Sequence, residues 1–201
     1  YFDNLTKDEE RELFKRLNAG KPLSTKSRLL ASCSDIEGLL DVGSHELFDD
    51  MLTDKAKDNK NQVTLVMKAW CMMNMSIEKV SFEGKDFNPL FETASDVERL
   101  KLDKVFGMIH DTHLTLVENK EKAVAKKLYT ETHMISLVPF FEKALEVGIE
   151  VNTMADWLID FFGSHNEQYD IAAGNGSAKN SNIVVRNTVL AESFEQFFSE
   201  V

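Results

Sequence analysis

Apolar positions recur along the chain at spacings of three and four, and cap residues interrupt them, so the pattern predicts helices from end to end. The first covers 6–18. Thr6 and Glu9 stand at capping-box spacing, Asp8 to Glu10 complement the positive end of the helix dipole, and Leu13, Phe14 and Leu17 form the apolar stripe before Gly20 supplies a left-handed stop. After the turn at Lys21 and Pro22, Ser24 caps a second helix through Leu29, Leu30 and Cys33. Ser34 and Glu37 repeat the capping box, and short helices follow through Leu39, Leu40, Leu47, Phe48, Met51 and Leu52. Residues 54–62 are polar and read as an exposed connection or a fraying helix end.

Residues 63–75 are apolar on nearly every side, which predicts a central helix surrounded by others. After a looser stretch at 76–88 and the break at Pro89, a long helix is expected from Thr93 or Ser95 to Glu118, interrupted at Gly107. Another covers 120–138, with Pro139 interrupting or kinking it before Phe140, Phe141, Ala144, Leu145 and Val147, and Gly148 closing the segment. Asn152 or Thr153 caps the next helix, which carries Met154, Trp157, Leu158, Phe161 and Phe162 to Gly163. Residues 169–182 read as a loop, and a last helix runs from Ser181 to about Phe198. The fold class is therefore all-α, an irregular bundle of roughly 8–10 helices. One helical domain over 1–201 is expected, with 1–90 and 91–201 as its sub-bundles.

Composition narrows the function. The chain has 34 Asp and Glu against 23 Lys and Arg, a formal charge of −11. Such a field repels phosphate, so no direct nucleic-acid partner is expected. The densest basic stretch, Lys120, Lys122, Lys126 and Lys127, is interleaved with Glu118 and Glu121 and reads as a solvated helix face. Two cysteines, Cys33 and Cys71, lie among apolar neighbours outside any CxxC pair, as in a reducing compartment. No apolar run approaches the ~20 residues that span a bilayer and no leader is apparent, so a cytoplasmic protein without membrane contact is expected. Fourteen Phe against three Tyr favour packing over display.

Candidate chemistry is sparse. His110 and His113 share one helical face at i, i+3 spacing and, with Asp111, suggest a metal site, although a metal needs three or four ligands and His45, His133 and His165 have no companion motif. Gly174, Gly176 and Lys179 resemble a phosphate loop only superficially, because no buried strand precedes them. Lys179 and Arg186 stand near a helix start, where they form a candidate anion site. No catalytic residue and no cofactor emerges.

Two stretches carry more than generic helicity. The segment 14–24, FKRLNAGKPLS, resembles the F-x-R-L-N-x-G-x-x-L segment of a ParB-like family, the domain of unknown function 262 group, which is related to the nuclease and nucleotidase half of GmrSD-type restriction systems. The loop Gly174 to Lys179 and the following Asn182 to Arg186 are similar to the final loop and helix of some phage and bacterial members. The family's D-G-Q-Q-R motif, where nucleotide and metal are handled, does not occur in this sequence. The resemblance thus implies the C-terminal helical part of a longer protein, an expectation in keeping with an opening at Tyr1 rather than Met. Physically, Arg16 suits a helix C-terminus and Asn18 and Gly20 its left-handed stop; the resemblance adds that Arg16 and Asn18 face a nucleotide pocket.

Three readings follow. The first is a non-catalytic accessory or interaction domain, whose partner is another protein or a missing N-terminal domain. The second is part of a nucleotide-dependent nuclease, and the third is an acidic inhibitor that mimics DNA. Under the second, Arg16→Ala weakens nucleotide binding by the intact protein and leaves this region folded; unchanged affinity in a calorimetric titration removes that role.

Overall fold

The computed structural model describes Thr6, Glu9 and residues 36–83 and 96–199. It contains α1 (Ile36–Val42), α2 (Glu46–Met51), α3 (Asp54–Asp58), α4 (Asn61–Asn74), a 3-10 turn at Ile77–Lys79, α5 (Asp96–Glu118), α6 (Lys122–Leu128), α7 (Glu131–Val147), α8 (Val151–Gly163), α9 (Glu167–Ala173) and α10 (Asn180–Ser199). There is no strand among the described residues. The fold is all-α. No described helix is long and apolar enough to cross a membrane.

Local signals that the sequence carries are realised where they can be seen. Thr6 N–H donates to Glu9 Oε2 at 2.8 Å and Glu9 N–H donates back to Thr6 Oγ1 at 3.3 Å, the reciprocal bonds of a capping box. The Thr6 backbone and hydroxyl donors hold the Glu9 carboxyl below its ordinary range. Gly148 takes φ +75° at the end of α7, and the reversal lets Ile149 N–H reach the Ala144 carbonyl at 2.9 Å.

Helix α7 lies at the centre, flanked by α4, α5, α6 and α10. It buries Met134, Ile135, Leu137, Val138, Phe140, Phe141 and Ala144. Helix α4, the expected central helix, buries Val63, Leu65, Val66, Met67, Ala69, Trp70, Cys71 and Met72 against α7, α1 and α3. One apolar cluster runs from Leu39 to Phe194, across both halves of the sequence. Its far end is aromatic, with Trp157 packed edge-on to Phe194 at 5.0 Å and tilted against Phe140 at 5.8 Å.

The structure departs from the sequence pattern at five places. Residues 54–58 form a helical turn, because Thr53 Oγ1 accepts Ala56 N–H at 3.3 Å and Lys57 pairs with Asp49 at 3.0 Å. Gly107 does not interrupt α5: its neighbours Val105, Phe106, Met108 and Ile109 are all buried, which outweighs the ~1 kcal/mol that glycine costs a helix. The segment expected as one helix over 120–138 divides at Tyr129 and Thr130, and Pro139 sits inside α7 instead of ending it. An interior proline removes one backbone bond at a cost of ~3 kcal/mol, whereas each large apolar side chain that α7 buries contributes ~1.5–3 kcal/mol. Helix α8 starts from Glu150, two to three residues before the expected cap, because the Gly148 turn already aims the chain. Residues 169–173 are helical rather than loop, since Asn166 Oδ1 accepts Tyr169 N–H at 3.0 Å and caps α9.

A pair of glycine substitutions separates conformation from packing. Neither Gly148 nor Gly163 has an atom within 4 Å of an added Cβ, but only Gly148 has positive φ. Gly148→Ala is expected to lose about 1 kcal/mol in urea unfolding, and Gly163→Ala to gain up to about 1 kcal/mol. Equal changes at the two sites contradict the left-handed stop.

Candidate functional site

Two clusters gather the polar chemistry of the described residues. The first joins α2 to α5. Glu46 and Asp50 stand one turn apart on α2, and His110 of α5 lies between them, Nε2 3.0 Å from Asp50 Oδ2 and Nδ1 3.4 Å from Glu46 Oε1. His45 is committed elsewhere, its Nδ1 accepting Leu47 N–H at 3.1 Å as the N-cap of α2. His113 does not join the carboxylates. It stacks on Tyr129, ring centroids 3.5 Å apart and planes within 8°. Burial, with a smaller contribution from the His110 charge, holds His113 below its ordinary value, and burial with Asp50 and Glu46 pushes the Tyr129 phenol up.

The carboxylates thus meet opposite nitrogens of the His110 ring and bracket it, whereas a metal needs ligands converging on one point. Among the described residues, no three His, Cys, Asp or Glu side chains are placed to hold an ion. Asp111, the partner suggested by the sequence, is exposed on the outer face of α5. Cys71 is buried, which raises its thiol to about 12 and leaves it unsuited to nucleophilic work.

The second cluster surrounds Arg186. This residue of α10 is only 2% exposed, donating from Nε to Ser136 Oγ at 2.8 Å and from Nη1 to the Ala172 carbonyl at 2.6 Å. It therefore links α10 to the middle of α7 and the end of α9. No carboxylate pairs with it among the described residues. Arg186 also lines a cavity of about 40 Å³, whose other walls include Lys68, Phe82, Glu131, Thr132 and Ser177. Lys68 is bound to Glu131 and lies 5.4 Å from the centroid of Phe82.

Lys179 is not part of this cavity. Its N–H donates to the Gly176 carbonyl at 2.9 Å, and its aliphatic chain lies over Gly176, which takes φ +77°. The cation that lines this cavity with Arg186 is Lys68 instead, a residue of α4 that the sequence analysis did not single out. Arg16 and Asn18 lie outside the described residues.

A third polar contact links α7 and α9. Tyr169 Oη is 2.8 Å from His133 Nδ1. Burial, then the charges of Lys127 and Arg186, lower the His133 imidazole to about 4 against the opposing effect of Asp170. The ring is therefore neutral at pH 7, and the tyrosine hydroxyl donates to it. Comparison with family models, curated proteins and solved structures gives no match.

Because His133 takes up its proton less readily folded than unfolded, its contribution to stability is complete above about pH 6.5 and is lost as pH falls toward 4. The loss attributable to this residue is of order 2–3 kcal/mol by pH 4. Urea midpoints compared at pH 7 and pH 4.5 should converge in His133→Gln; an undiminished pH dependence in that variant excludes the histidine as its source.

Proposed function

We propose that this chain is a non-catalytic helical accessory domain that works through protein contacts and positions a ParB-like catalytic half. The observation that carries this reading is an apolar surface at one end of the bundle. Val97 is 76% exposed and Leu100 56% at the start of α5, and Val147 is 64% exposed beside Leu145 at the end of α7. Lys101 of α5 is bound to Glu142 and lies 2.9 Å from Glu146 of α7, which brings these two helix ends together. The helices run antiparallel, since His113 near the other end of α5 meets Tyr129 just before α7. Apolar side chains grouped beside a fixed ion-pair network suit a folded neighbour better than a soluble substrate.

The resemblance of FKRLNAGKPLS to the ParB-like family supports a neighbour on the same polypeptide, and the charge of −11 disfavours a nucleic-acid one. The sparse cysteines, with Cys71 a buried free thiol, support a cytoplasmic setting.

The test joins a ParB-like half bearing D-G-Q-Q-R to this chain and measures nucleotide hydrolysis. Val97→Asp combined with Val147→Asp is expected to lower the rate about tenfold, the effect of about 1.4 kcal/mol lost from a contact. The melting temperature of the isolated chain should stay unchanged. A wild-type rate in the double variant, or saturable nucleotide binding by the isolated chain, overturns the reading.

A further inference from the structure

We infer that the cavity beside Arg186 is a receptor for a single carboxylate group. This inference stands apart from the proposed docking role and rests on different residues. A guanidinium carries five N–H donors, and a buried one is ordinarily matched by a carboxylate. Arg186 is 2% exposed, yet its protein partners are a hydroxyl and a carbonyl, bonded through Nε and Nη1. Nη2 has no acceptor among the described residues, and the side chain lines the cavity.

The charge around the cavity is incomplete in the same sense. Lys68 and Arg186 supply two positive charges, and Glu131, the carboxylate in the lining, is bound to Lys68. One positive charge is left over. Thr132 and Ser177 add hydroxyls that can donate to an oxygen there. Size bears on the choice of anion. The volume is about 40 Å³, and a water needs roughly 10–15 Å³ on this scale, so the space beside the guanidinium takes about three heavy atoms. A carboxylate, three heavy atoms in one plane, matches it. The planar fork of an arginine suits that shape. Lys68 and Glu131 are partly exposed, so the carboxylate can belong to a small free acid or end a peptide that continues into solvent.

The experiment is a thermal-shift titration of the chain with sodium formate, N-acetylglycine and the neutral N-acetylglycinamide, against sodium chloride at matched ionic strength. Formate is expected to raise Tm by about 3–6 °C at ten times its Kd and further with the logarithm of its concentration, and the neutral amide to do nothing. A rise with N-acetylglycine as well assigns the site to peptide carboxylates; a rise with formate alone assigns it to free acids. Arg186→Lys should abolish the shift. In case that variant does not fold, Lys68→Gln, at the rim, should weaken formate binding about tenfold, and the Arg186 Nε–H resonance of the unsubstituted protein should move with formate. Chloride matching formate, or a formate shift retained in Lys68→Gln with a stationary Arg186 resonance, overturns the inference.

Discussion

Removing a guanidinium from water costs several kcal/mol unless its donors are met, and the closure of this bundle depends on meeting those of Arg186. Helix α10 cannot settle against α7 and α9 without carrying that charge inward, and the bonds to Ser136 and to the Ala172 carbonyl are what make the burial tolerable. Each acceptor comes from a different helix. Ser136 faces α10 because the apolar face of α7 is interrupted there by a small hydroxyl, whose own proton goes to the Thr132 carbonyl at 2.7 Å. The Ala172 carbonyl is free because α9 ends at the next residue, where helix carbonyls lack partners within the helix. Position and polarity are thus set by the same few residues that end one helix and line another.

Much of the fold could be read from the chain because its apolar positions recur at helical spacing and a few of its helix ends carry a local cap or stop. The capping pair at Thr6 and Glu9, the stop at Gly148 and the apolar face of α4 are local facts, each visible in a few residues. The misreadings share a different cause. Pro139 looks like a terminator by itself, but packing on several sides of α7 overrides it. Tyr169 looks like the start of a polar loop, yet it is buried against Phe161 and Phe162 from another helix. On α10 the buried face is Ile183, Arg186, Val189, Leu190 and Phe194, with the arginine standing in the stripe where a sequence reading looks for hydrophobic residues.

The same division holds for the candidate site. Histidines three residues apart were legible as sharing a face, but the partner of each was not: His110 meets a second helix and His113 an aromatic ring that follows α6. Arg186 was legible as a charge near a helix start, while its companion Lys68 comes from more than a hundred residues away. Periodicity reports the face a residue occupies. It does not report what the opposite wall contributes, and in this protein the polar groups matter through the opposite wall.

Pro139 gives α7 a property that belongs to the assembled molecule rather than to the segment. Proline has no amide hydrogen to give, so the ladder between Glu131 and Val147 is missing a rung near its midpoint. Cut out as a peptide, the seventeen residues would part into two weak turns at that point. Their continuity inside the protein is imposed by the walls around them, which makes the innermost helix the one least able to form ahead of its neighbours.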